Sequence, residues 1–175
     1  VDFLKVDIDS CDCSLAFALL RVVHPTVIHI EVNAAFPPPV RFSRFCHDDW
    51  FASYERTSRF GRQSITFGCS FSAAVAGFQA EGYVFHGMSQ ENAVFIHSSV
   101  AHLLGHDIAE RGIDEFQCYS EIVRSPAMAT FVPVRWLQEW LAMPPGEDLL
   151  KSVWCRLVLH DVMLDISHMP FTLSL

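Results

Sequence analysis

The stretch FLKVDIDSCDCSLAFALLRVVHPTVIHIEVN, residues 3–33, reads as strand, acidic turn, helix and second strand. FLKVDI and VIHIEVN are near-continuous apolar runs of β-branched and large residues, the pattern expected of strands buried on both faces of a parallel sheet. Between them a helix is expected to start at Ser14, with Asp12 near its positive end and Leu15, Leu19, Leu20 and Val23 at core-facing spacing; His24-Pro25 stops it. Ligands of open α/β sheets sit at the C-terminal ends of the strands. Asp7 and Asp9 are therefore expected to share one rim with Glu31 and Asn33.

Composition bounds what that rim can serve. A chain of 175 residues is expected to form about one domain. Its apolar fraction of 51% is enough for a sizeable core, and its formal charge of −8 with no basic stripe excludes binding of nucleic acid through phosphate neutralisation. A cationic substrate, or a metal held by carboxylates, suits the charge better. No apolar run reaches the ~18 residues of a spanning helix and no basic-then-apolar leader occurs, so no membrane partner is expected. The cysteines at 11, 13, 46, 69, 118 and 155 are irregularly spaced without C-x-x-C pairs. They are expected to be reduced and mostly buried, which suggests the cytoplasm without fixing the compartment. Cys11 and Cys13 flank Asp12 in a C-x-C that would suit a soft metal, but no second pair of ligands follows. Residue 1 is Val and a strand begins almost at once, the pattern expected of a fragment or a processed product.

After the second strand, Phe36-Pro37-Pro38-Pro39 forces an extended exit. Residues 35–68 are then expected to form a lid-like loop over the rim, rich in aromatics and arginine such as Phe42, Arg44, Trp50, Tyr54 and Arg56. Its side chains would grip an anionic or ring-bearing acceptor, or simply pack against the sheet edge; His47-Asp48-Asp49 would supply a base or form a solvated turn. Ser70 is expected to cap a helix over FSAAVAGFQAEG, with Gly82 in the left-handed position after it. Tyr83–His86 and Ala93–Ile96 read as a hairpin that places one antiparallel member at the sheet edge. Residues 1–100 thus form a half domain, and 101–175 a helical extension with helices near 100–112, 114–124, 134–143 and 147–160. His102 and His106 share one helical face without the Glu of a zinc motif. The last fourteen residues fit strand or coil equally. So many Trp and Leu residues require a cover: the sheet face, a protein partner or further sequence.

Four motifs in order, FLKVDIDSCDC, PTVIHIEVNAAFPPP, GCSFSAAVAGFQAEGY and ENAVFIH, resemble the C-terminal half of class I S-adenosylmethionine-dependent methyltransferases, closest to the FkbM-like group, over residues 2 to 97. The resemblance implies an α/β fold: a partial doubly wound, mostly parallel sheet, the second half of a Rossmann-like methyltransferase, followed by a helical C-terminal appendix. It implies S-adenosylmethionine as methyl donor and an oxygen of a small-molecule or glycan-like acceptor as its target. The rim is similar to the magnesium site of catechol-type O-methyltransferases. That similarity implies Asp9, Glu31 and Asn33 as catalytic or metal-binding residues and Asp7 as the residue nearest the cofactor. The chain departs from that pattern because Glu31 and Asn33 are not adjacent. The glycine-rich turn that holds the cofactor in such enzymes is also missing from the 175 residues, so an N-terminal half is expected as a partner. Two other readings stay open, a non-catalytic remnant or interaction module of the same fold and a metal-dependent hydrolase using Asp7, Asp9 and Glu31. In a purely structural reading, Asp9 and Asp12 are turn and cap residues and Asn33 ends a strand.

Overall fold

A computed structural model of the chain describes residues 1–46, 66–104, 114–123, 134–163 and 171–175. Strand β1 (Phe3–Val6) leads through an acidic turn into helix α1 (Asp12–Leu20), and strand β2 (Val27–Glu31) returns parallel to β1 with Phe3 opposite Val27 and Val6 opposite Ile30. This is the β-α-β unit the opening stretch calls for. A short strand β3 (Arg41–Arg44) follows the proline exit, and helix α2 (Phe71–Ala80) begins at Ser70, whose hydroxyl accepts from the Ala73 N–H. Gly82, at φ +85°, ends that segment in the left-handed conformation that only glycine adopts cheaply. The hairpin of β4 (Tyr83–Ser89) and β5 (Asn92–His97) comes next.

The main sheet runs β1-β2-β5-β4, with β5 antiparallel to both neighbours. The fold is therefore α/β with a mixed four-stranded sheet in which one pair is parallel and two are antiparallel. The expected mostly parallel sheet gives way here, and the antiparallel member of the hairpin lies inside the sheet instead of at its edge. The cause is local: a two-residue turn at Gln90-Glu91 obliges β4 and β5 to pair antiparallel, and β5 extends its ladder along β2 as far as a 2.7 Å bond from the Val32 N–H to the Glu91 carbonyl.

One face of this sheet carries the core. Val6, Ile28, Ile30, Ala93 and Phe95 pack under Cys13, Ala16 and Leu20 of α1 and Ala74, Val75 and Phe78 of α2. The two helices meet at Gly77, where a Cβ would overlap the Phe17 ring. Along β2, Ile28 and Ile30 are buried while Val27, His29 and Glu31 are only half-buried. The expectation of burial on both faces is thus replaced by alternation, and within the helix Ala16 and Cys13 join Leu20 as the most buried positions while Leu15 and Leu19 are half-buried.

The C-terminal segment adds helix α3 (Ser98–Ala101), a 3-10 turn at His102–Leu104, helices α4 (Glu115–Val123), α5 (Val134–Leu141) and α6 (Glu147–Met163), and strand β6 (Phe171–Ser174). Part of its apolar surface finds cover within the chain, while Trp154, Leu159 and Val162 of α6 stay exposed. Trp140, Leu149, Val153 and Leu157 form a second core with Ala35, Phe36, Val40 and Phe42 of the proline exit and β3. Phe36 stacks on Phe42 with ring centroids 4.3 Å apart. Strand β6 pairs antiparallel with β3 in a separate two-stranded sheet. On α4 Phe116 is exposed whereas Tyr119 is buried, and the Tyr119 hydroxyl donates to the Ala34 carbonyl at 2.7 Å.

Within the segment 35–68 expected to form a lid, the described residues 35–46 are packed against the second core. Residues 40–46 are strand and adjoining chain, with Phe42 and Arg44 fully buried. His47, Asp48, Asp49 and the rest of 47–65 lie outside the described residues, as does His106.

Arg44 joins the two halves of the chain. Its guanidinium bonds both carboxylate oxygens of Asp161 on α6, at 3.2 and 3.0 Å, and its Nε donates to the Thr66 carbonyl at 2.8 Å. The side chains are 0% and 3% exposed, and the Phe171 ring lies 5.1 Å from the guanidinium carbon. Burial pulls the Arg44 pKa down from its ordinary value, and the Asp161 carboxylate opposes the shift. Removing one partner of such a pair strands the other as an unpaired buried charge. Asp161→Ala is expected to destabilise the fold by about 3–5 kcal/mol in urea unfolding, and the double variant Arg44→Met with Asp161→Leu to recover most of that loss.

Candidate functional site

The turn between β1 and α1 places the acidic residues of the rim. Asp12 is fully buried, and its carboxylate points back along the chain instead of capping α1: Oδ1 accepts from the Ile8 N–H at 2.8 Å and Oδ2 from the Ser10 N–H at 3.1 Å. Between those two donors Asp9 sits at φ +53°, a left-handed conformation that short polar side chains tolerate best among non-glycine residues. The Gly68 N–H donates to the Ser10 carbonyl from the other side of the turn. With the turn folded this way, one carboxylate oxygen each from Asp7, Asp9 and Glu31 lies within 4.8 Å of the other two.

Asn33 does not join them through the contacts seen here. Its amide donates to the Phe67 carbonyl at 2.9 Å and its side-chain oxygen accepts from the Ala35 N–H at 2.9 Å, which fixes the chain where it leaves β2. Of the expected site residues, the structure gathers Asp7, Asp9 and Glu31 and gives Asn33 a structural task. Asp7 also forms a 3.0 Å ion pair with Lys5, so the cluster carries one local countercharge.

Burial and the neighbouring carboxylates raise the cost of ionising Glu31. Glu31 is pushed up to about 8, first by burial and then by the charges of Asp12, Asp9, Asp7 and Glu91. Its Oε2 is buried without a hydrogen-bond partner. Asp12 is raised as well, by burial, against the two backbone donors that favour its ionised form. An all-oxygen set with a protonated, unpartnered carboxyl fits a hard divalent cation, with water completing the shell. A cation would replace the proton on Glu31.

Two disulfides staple the same turn. Cys11 is bonded to Cys46, next to β3, and Cys13 to Cys69, just before α2, with Cα–Cα distances of 5.1 and 5.9 Å. Cys118 and Cys155 are free. The expectation of reduced thiols is overturned for these four cysteines. The soft-metal reading of Cys11 and Cys13 goes with it. Among the described residues no helix is long and apolar enough to cross a membrane.

Sequence reasoning found the three clustered carboxylates through their place at strand ends, but missed Asp12 as the organiser of the turn. The available signal was D-x-D-S-x-D over Asp7–Asp12, in which the last Asp can accept from backbone N–H groups two and four residues before it. In comparisons with protein-family models, characterised proteins and solved structures, nothing matches this chain.

Two outcomes are expected. Non-reducing peptide mapping should recover Cys11 linked to Cys46 and Cys13 linked to Cys69, with Cys118 and Cys155 alkylated; either pair found as free thiols contradicts the staple. Because the folded-state pKa of Glu31 is raised from 4.5 to about 8, its contribution to stability is complete below pH 4.5 and is lost as pH rises through 8. In metal-free buffer Glu31→Gln should therefore flatten the fall in stability over that window and raise stability at pH 9 by about 1 kcal/mol or more. Thermal melts at pH 5, 7 and 9 measure it.

Proposed function

We propose that this chain is the acceptor-side part of an S-adenosylmethionine-dependent O-methyltransferase acting on a hydroxyl of a small-molecule or glycan-like acceptor. The observation that carries the reading is the cluster of Asp7, Asp9 and Glu31 at the C-terminal ends of a parallel β-α-β pair. The four motifs of residues 2–97 supply the family to which it is referred. The final antiparallel hairpin and the Ser70-capped helix occur in the order those motifs require.

The residues divide the work as follows. Asp7, Asp9 and Glu31 would hold a divalent cation such as magnesium; when bound, it lowers the pKa of an acceptor hydroxyl beside it. Glu31 would hold the cation in place of its own proton, so its ligation would strengthen as pH rises toward 8. Asp12 keeps Asp9 in place through the Ile8 and Ser10 N–H groups. The turn after β1 is Asp7-Ile8-Asp9-Ser10, with no glycine to let a backbone approach a nucleoside, so no step through the methyl donor is derived from these residues. The same turn favours the second reading, a non-catalytic remnant or interaction module of this fold.

Calorimetry separates the two. The 175-residue chain is expected to bind magnesium saturably, more tightly at pH 8.5 than at pH 6.5, and Asp9→Asn should weaken it tenfold or more. A chain extended upstream should in addition bind S-adenosylmethionine. No magnesium binding in the short chain removes the catalytic assignment of the cluster, and no S-adenosylmethionine binding in the extended chain leaves the remnant.

A further inference from the structure

The two disulfides of the acidic turn differ in what can reach them. Cys13 and Cys69 are both 0% exposed and belong to the core beneath α1 and α2. Cys11 is buried as well, but its partner Cys46 is exposed, where the chain leaves β3 after the buried Arg44. Thiol–disulfide exchange begins with a thiolate attacking a disulfide sulfur, so access decides which bridge a reductant meets in the folded chain. Cys11–Cys46 offers one accessible end, and Cys13–Cys69 offers none.

The reachable bridge is also the one inside the turn. The Asp12 carboxylate closes the segment Ile8–Asp12 by accepting from the Ile8 and Ser10 N–H groups, and Cys11 lies within that segment. Cys13 lies outside it, in the first turn of α1. Cys11 occupies the N-cap of α1, yet its side chain makes no capping bond, and its sulfur is committed to Cys46. Once that bond opens, no covalent link ties this part of the turn to β3. The Gly68 N–H to the Ser10 carbonyl and Cys13–Cys69 remain, both on the side of α2.

We propose that Cys11–Cys46 is a redox latch on the acidic rim: a dithiol reductant opens it in the folded chain while Cys13–Cys69 stays closed, and the opening loosens the turn that sets Asp9 beside Asp7 and Glu31. The exchange balances within these groups. One thiolate of the dithiol attacks the Cys46 sulfur and expels the Cys11 thiolate; the second displaces Cys46, leaving two protein thiols and a cyclic disulfide. Two electrons and two protons pass to the protein, and the reverse exchange with an oxidised dithiol closes the latch. Loosening the turn relaxes the spacing of three carboxylates held within 4.8 Å, so the open form holds a divalent cation less well. By reciprocity, a bound cation makes the latch harder to open by the same factor. This cation effect rests on the reading of the cluster as a cation site, whereas the latch itself does not.

The test blocks the free thiols Cys118 and Cys155 of the 175-residue chain, treats it with graded dithiothreitol in native buffer, and maps newly formed thiols by mass spectrometry. Cys11 and Cys46 should become labelled at least tenfold faster than Cys13 and Cys69. Backbone order parameters of Ile8, Asp9 and Ser10 should then fall from the rigid range of about 0.85 to 0.6 or below, while those of Ala93 and Phe95 in β5 stay rigid. Magnesium affinity should drop tenfold or more in the same sample. If magnesium binds neither form, the cation reading fails and the labelling and order parameters decide the latch. Labelling of all four cysteines at one rate, no labelling short of unfolding, or a turn that stays rigid after Cys11 and Cys46 are reduced overturns the proposal. The double variant Cys11→Ser with Cys46→Ser should show the mobile turn without reductant and no further change with it. Should that variant fail to fold, reduction of the unaltered chain decides alone.

Discussion

The buried carboxylate of Asp12 is the constraint from which the rim follows. A carboxyl without solvent is costly, and two backbone N–H donors are what make this one tolerable. To supply them, the chain must fold back over itself at Ile8–Ser10, and that reversal puts Asp9 in the left-handed region beside Asp7 and Glu31. Cys11 and Cys13, on either side of Asp12, bind the reversal to β3 and to the start of α2. Closing loops of 35 and 56 residues restricts the unfolded chain, a contribution of about 3–4 kcal/mol each in the chain-entropy account. The electrostatic tension among the carboxylates is thus held by a turn that is itself tied at two points.

A second economy lies in the proline exit. Ala35 to Phe42 leaves the sheet rim and at once becomes the floor of the other core, so Phe36 stacks on Phe42 and faces Trp140. Asn33 and Ser70 sit where the two cores meet. Asn33 ties the strand exit to Phe67 and Ala35, while the Ser70 hydroxyl accepts from the Phe42 N–H and donates to the Val40 carbonyl as well as capping α2. The segments 1–100 and 101–175, which composition separates, consequently share side chains across that junction.

What was legible in the sequence was local. The first two strands, the helix between them, the Ser70 cap, Gly82 and the hairpin are marked by apolar runs and by punctuating residues whose conformational preferences act within a few positions. The alternation Ile28, His29, Ile30, Glu31 already signalled one covered face, but the flanking valines hid it within an apolar run. Strand β3 was missed because Arg-Phe-Ser-Arg after three prolines reads as surface loop, and nothing nearby announces that Asp161 will neutralise Arg44 in the interior. Disulfide pairing failed for a related reason: irregular spacing says nothing about which cysteines meet. The carboxylate cluster was half legible, since strand-end position predicts the rim while the turn conformation decides which acids reach it.

The pairing of Arg44 with Asp161 also sets an order of events during synthesis. The partners are 117 residues apart, so at roughly 5–20 residues per second Arg44 leaves the ribosome about 6–23 s before its carboxylate. Throughout that interval the guanidinium has only water to stay charged in, and β3 cannot settle into its final place beside Phe171. The sheet with α1 and α2 is complete in sequence by His97 and is free to form while translation continues. The second core is therefore the late event in the life of the nascent chain, and the aromatic surface of Phe36 and Phe42 is what a chaperone would meet in the meantime.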